Sequence, residues 1–132
     1  MNFIKSDGGK TMHGETRDCT VRAVAIAFDI PYDEAHSILA AAGRKNRHKF
    51  MFEAWVATKP VINGRMFVEL RLLPRTNAWE LADVCLADEV YIARVRGHVY
   101  TIKQHAIHDI TKELVKPGQR VTHLWRIDEV PA

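Results

Sequence analysis

From residue 19 onward the apolar positions of the chain fall into helical spacing. Val21, Val24, Ala25 and Phe28 recur at i, i+3, i+4 and i+7, the stripe that one buried helical face leaves in a sequence. Asp18 stands directly before the run, where a carboxylate accepts a hydrogen bond from an orphan backbone N–H and caps the helix. Pro31 interrupts the period. Residues 33–42 (DEAHSILAAA) restart it, with acids in the first turn and Gly43 just past the end. Two consecutive helices are predicted.

Beyond a basic stretch, residues 50–57 (FMFEAWVA) are apolar without a deciding period. Lys59-Pro60 and Asn63-Gly64 mark turns, and residues 65–72 (RMFVELRL) read as a strand. Thr76 or Asn77 is set to cap a short helix over residues 78–86, with Trp79, Leu81, Ala82 and Cys85 available for burial. Cys85, on that apolar face, reads as inert core. A period of two takes over at residues 90–95, where Tyr91, Ala93 and Val95 alternate with Val90, Ile92 and Arg94. Residues 99–103 (VYTIK) and 106–110 (AIHDI) flank a tight connection at Gln104-His105, and Pro117-Gly118 precedes a last strand at 120–127 (RVTHLWRI). The first residues carry an Asp-Gly-Gly turn signal and little period, so residues 1–12 read as an arm or an edge element. The predicted layout is α+β: N-terminal helices packed on a C-terminal antiparallel sheet of about four strands. With 132 residues and no internal repeat, one domain is expected.

Composition narrows the class. Hydrophobic residues make up 47% and charged residues 27%, which excludes a disordered tail, a collagen-like rod and a coiled coil. The longest apolar run, residues 23–28, falls far short of the roughly 20 residues of a membrane span. The polar start (MNFIKSDGGK) lacks the order of a signal peptide, so a soluble cytoplasmic protein is expected. Two cysteines without a CxxC pair fit free thiols there. The net charge of +3 is local: Arg44, Lys45, Arg47 and Lys49 lie within six residues, and the other 15 cations face 16 acids. Those four residues are candidates for contact with an anionic partner, although a solvated loop accounts for them as well and nucleic acid is not the favoured partner.

Cys19 is the residue whose position carries chemistry. A thiolate is the nucleophilic form, and the unpaired N–H groups of a first helical turn favour it. The same groups can stabilise an oxyanion on an attacked carbonyl. Among the seven histidines, His36 and His48 read as solvated, whereas His98 follows Gly97 at the head of a strand, where the small neighbour permits close approach. A turn centred near residues 103–104 brings Asp109 roughly opposite His98, within cross-strand reach. The expected triad is Cys19 as nucleophile, His98 as general base and Asp109 as the acid that orients the ring.

Residues 14–28 (GETRDCTVRAVAIAF) followed by IPYDEAHSIL resemble the nucleophile helix of small papain-like cysteine peptidases, in particular compact forms from bacteriophage genomes. Residues 89–110 (EVYIARVRGHVYTIKQHAIHDI) resemble the strand, Gly-His, strand, turn, strand, Asp portion of those proteins, and RVTHLWRI their final strand. The resemblance covers the first quarter and the last third of the chain. It implies a reduced papain-like fold, a peptidase or amidase acting through Cys19, His98 and Asp109 on a peptide or protein substrate, and no cofactor. Members of that family place a Gln or Asn before the nucleophile as an oxyanion donor. No Gln or Asn lies between Lys5 and Cys19, which leaves His13 and Thr16 as the nearest substitutes. The charge of Asp18 beside the sulfur is expected to disfavour the thiolate.

Two other readings compete. His105 and His108 form an HxxH beside Asp109, with His98 and His123 on nearby strands, but residues three apart on a strand face opposite ways and no metal site is expected. A catalytically weak papain-like protein that binds a host protein or nucleic acid through residues 44–49 and the aromatics Phe50, Phe52 and Trp55 is the alternative to an enzyme.

Overall fold

The computed structural model describes residues 2–12 and 14–131, and excludes the side chains of Asn2 and Lys112. It is a mixed α+β protein with four helices and a seven-stranded sheet among these residues. Strand β1 (Asn2–Lys5) comes first, then helices α1 (Cys19–Phe28), α2 (Tyr32–Ala41) and α3 (Phe52–Val56). Strands β2 (Val61–Ile62) and β3 (Arg65–Leu70), helix α4 (Ala78–Val84), and strands β4 (Val90–Val95), β5 (His98–Lys103), β6 (Ala106–Asp109) and β7 (Val121–Glu129) complete it, with a 3₁₀ turn at Lys112–Leu114. The strand order is β1-β6-β5-β4-β7-β3-β2.

The four strands expected in the C-terminal third lie side by side at the centre of this wider sheet, but not as a simple meander: β4, β5 and β6 pair in succession, whereas β7 crosses over to pair with β4, giving β6-β5-β4-β7. β3 and β2 extend it antiparallel beyond β7, and β1 pairs parallel with β6. The start of the chain is therefore an integral edge strand rather than a free arm: Phe3 lies beside Ile107 and Lys5 beside Asp109. The β5–β6 turn is tight, with Gln104 and His105 both at positive φ (54° and 59°), the geometry a two-residue hairpin turn requires.

Both faces of the sheet are covered. Ile92, Val99, Trp125, Ile127 and Phe67 pack with α1, α2 and α3, while Tyr91, Ala93, Val95, Tyr100, Ile102 and Leu124 pack with α4. Helix α1 lies between the sheet and α2, and every residue from Thr20 to Phe28 is buried. An amphipathic stripe is therefore too narrow a description: the polar positions Thr20 and Arg22 are interior as well. Removing the fully buried Phe28 ring would cost about 3–5 kcal/mol. The helix ends where Asp29 turns left-handed (φ 54°) and Asn63 donates its amide to the Phe28 carbonyl at 2.9 Å. Of the two residues suited to cap α4, Asn77 rather than Thr76 does so, accepting the Glu80 N–H at 2.9 Å.

Candidate active site

Helix α1 begins at Cys19, so the N–H groups of Cys19, Thr20 and Val21 have no acceptor within the helix. The first intrahelical bond runs from Arg22 N to Asp18 O at 3.0 Å. Across from this helix start stands His98, the first residue of β5. Its Nε2 lies 2.5 Å from Asp109 Oδ2, which leaves Nδ1 for the thiol. The β5–β6 register pairs Thr101 with His108, which sets Asp109 level with Tyr100, so Asp109 sits diagonal to His98 rather than directly across. The turn centre falls one step later than the sequence suggests, and the diagonal reach is still a hydrogen bond.

The three residues share their charge. Burial pushes the Cys19 thiol up, but the hydrogen bond and charge of His98, the Val99 N–H and the Arg22 guanidinium outweigh it and bring the thiol below its ordinary range. Burial pulls His98 down, yet the hydrogen bonds and charges of Asp109 and Cys19 raise it to about 9. Both shifts favour a thiolate–imidazolium pair over the neutral pair. Cys85 shows the contrast: apolar burial alone pushes its thiol up to about 12.

Asp109 is fully engaged. Its Oδ1 accepts Arg22 Nη1 at 2.7 Å and the Ile110 N–H at 2.8 Å, while Oδ2 holds His98. Arg22 in turn reaches Asp18 Oδ1 with Nε at 3.2 Å. Asp18 Oδ2 accepts the Tyr32 hydroxyl at 2.7 Å and Lys10 Nζ at 2.9 Å. Asp18 therefore does not cap α1 through its side chain. Its charge is met by Arg22 and Lys10, which hold its carboxyl below the usual range against the effect of burial. With that charge paired, Asp18 is not among the main influences on the Cys19 thiol, contrary to the expected penalty.

A second buried network fixes the loop that leads into Cys19. Glu15 pairs with His36 Nε2 at 2.8 Å and Arg44 Nη1 at 3.1 Å, and also accepts the Arg47 N–H. Burial raises this carboxyl, but these partners bring it down to about 2. Arg44 Nη2 also reaches the carbonyls of Thr16 and Arg17, each at 3.3 Å. His36 is consequently buried rather than solvated, and Arg44, with 5% of its surface exposed, is not available to an anionic partner. Lys45, Arg47 and Lys49 remain exposed.

Cys19 and His98 meet in a cleft of about 200 Å³. Arg17, Cys19 and Thr20 form one wall, residues 49–53 another, and Arg94 with residues 97–99 the third. Thr16 does not line it; its backbone N–H is bonded to Glu15. His13 lies outside the described residues. The space beside Gly97, whose backbone is left-handed (φ 77°), is taken by Lys49, whose Nζ is 3.3 Å from the Gly97 carbonyl. A broader depression of about 500 Å³ between Arg65, Asp88, Arg126 and Glu129 contains neither cysteine nor histidine.

Sequence reasoning brings Cys19, His98 and Asp109 together, misses Glu15 and Arg22, and assigns His36 to solvent and Arg44 to an anionic partner when both are bound to Glu15. Arg22 leaves a signal: it is the one charged residue in the run CTVRAVAIAF. Glu15 and Arg44 leave none, because their pairing spans 29 residues. Among the described residues no cluster of His, Cys, Asp or Glu could hold a metal, and no helix is long and apolar enough to cross a membrane. No protein-family model, curated protein or solved structure matches the chain.

Proposed function

We propose that the protein is a papain-like thiol hydrolase that cleaves a peptide or related amide bond. The observation that carries this reading is the meeting, in one cleft, of a thiol at a helix start with an imidazole that a buried carboxylate holds at 2.5 Å. The Cys19 sulfur attacks the substrate carbonyl, forming a C–S bond and an oxyanion that faces the N–H groups at the head of α1. The proton from the thiol resides on His98 Nδ1. Collapse of the oxyanion breaks the C–N bond, and His98 gives that proton to the departing amine. Water then attacks the thioester while His98 accepts its proton, releasing a carboxylic acid and restoring the thiolate. Throughout, Asp109 keeps the ring oriented and stabilises its charged form.

Alkylation of Cys19 by iodoacetamide, followed by mass spectrometry over a pH series, tests this reading. Rapid reaction that persists well below the ordinary thiol pKa of roughly 8.5 is expected at Cys19 and not at Cys85. His98→Ala should move Cys19 to ordinary behaviour. Slow alkylation of Cys19 in the wild type would leave a binding protein, directed at a host protein or nucleic acid, as the better account.

A further inference from the structure

The proposed hydrolase cleft leaves open which amides enter it, and its charges bear on that question. Three cations line it. Arg94 is paired with Glu53. Arg17 and Lys49 have no carboxylate partner among the described residues, and the Lys49 ammonium touches only the Gly97 carbonyl, which leaves two of its three donors unused. They stand on different walls. Arg17 precedes Cys19 by two residues, whereas Lys49 lies against the turn that leads into His98. Between them the lining is apolar, from Phe50, Met51 and Phe52.

The placement of Arg17 is enforced. Its φ is 51°, a left-handed backbone that L side chains rarely adopt, and the buried Glu15–Arg44 pair holds it there through the Thr16 and Arg17 carbonyls. The basic stretch thus splits into two roles, with Arg44 consumed inside the protein and Lys49 delivered to the cleft. The thiol and imidazole share one proton and are neutral as a pair wherever it sits, so Arg17 and Lys49 leave the mouth of the cleft with two positive charges that no carboxylate meets among the described residues.

We propose that the substrate is acidic: a polypeptide carrying a carboxylate side chain beside the scissile amide, with Arg17 and Lys49 engaging carboxylates on either side of it. This rests on Cys19 being the nucleophile. A cation on each wall attracts an anion during encounter and holds it once bound, and both effects weaken with salt.

Two reagents of nearly equal size test the charge without a known substrate. Rates of Cys19 alkylation by iodoacetate and iodoacetamide are measured at low ionic strength, and their ratio is divided by the same ratio for glutathione. The normalised preference for iodoacetate should be about tenfold, as electrostatic steering into a cationic cleft predicts. It should fall by about threefold in Lys49→Ala and again in Arg17→Ala, and further in Lys49→Glu, with thermal melting confirming that each variant is folded. High salt should erase the difference between variants and wild type. His98 contributes equally to every ratio, so the change between variants is the reading. Prompt reaction with both reagents, but a ratio that neither substitution nor salt moves, would overturn the acidic substrate and leave the nucleophile standing. Slow reaction with both reagents would overturn the nucleophile and this inference with it.

Discussion

Cys19 opens a helix beside a charged imidazole, whereas Cys85 closes one with hydrocarbon around it. The first thiol is drawn down by His98 and Arg22 despite its burial; the second is pushed up to about 12 by burial alone. Both are free, and both sit against core side chains. Both are desolvated, and a charged partner is what sets the surroundings of Cys19 apart from those of the space-filling Cys85. The charged partners of Cys19 are themselves braced, since His98 leans on Asp109, Asp109 on Arg22, and Arg22 on Asp18.

The contrast breaks most sharply at the sulfurs. Cys19→Ala should abolish hydrolysis of any substrate found by screening, a loss of about 10³-fold or more, with melting temperature little changed. Measurable turnover by that variant at the wild-type rate would sink the mechanism.

Removing the brace should come next. Arg22→Lys keeps one charge but cannot bridge two carboxylates as the guanidinium fork does. The rate of Cys19 alkylation at neutral pH is expected to fall about tenfold, with its pH profile moving toward that of an ordinary thiol. An unchanged profile would mean that Arg22 only fills the interior.

Glu15 probes whether the second network matters to fold alone. Its carboxyl sits at about 2 in the folded chain against an ordinary value of 4.5, so its contribution is fully present above pH 4.5 and is lost as pH falls toward 2. Glu15→Gln leaves Arg44 buried without a counter-charge and should cost on the order of 3 kcal/mol at neutral pH. Urea unfolding at several pH values should show that loss, together with a flatter acid limb. The smallest effect is reserved for Cys85→Ala, which should cost about 1 kcal/mol of stability through lost packing and leave Cys19 alkylation as it was.

Much of this site is legible in the chain alone. The apolar spacing after Asp18 puts Cys19 at the head of a helix, and hairpin arithmetic around Gln104-His105 puts Asp109 near His98. Local signals fail where partners are remote. His36 carries no mark of the Glu15 that buries it, and residues 44–49 read as one solvated stretch because nothing local distinguishes Arg44 from Lys49. Asp18 has the position of a cap, yet Arg22, Tyr32 and Lys10 compete for its oxygens and win. The sheet widens beyond four strands for a similar reason. β1 has no alternation to announce it, and it finds its place through Phe3 beside Ile107, a pairing across most of the chain.

That pairing has a bearing on how the molecule comes into being. β1 leaves the ribosome long before its partner β6, and β6 ends with the residue that orients the imidazole. Such a contact of long sequence separation forms late and slowly. During synthesis Cys19 is present early, but Asp109, which bonds His98, arrives more than eighty positions afterwards, on the strand that seats the β1 edge of the sheet. Chains halted before that point carry Cys19 without an imidazole held by Asp109, so the charged surroundings of the thiol depend on completion of the fold.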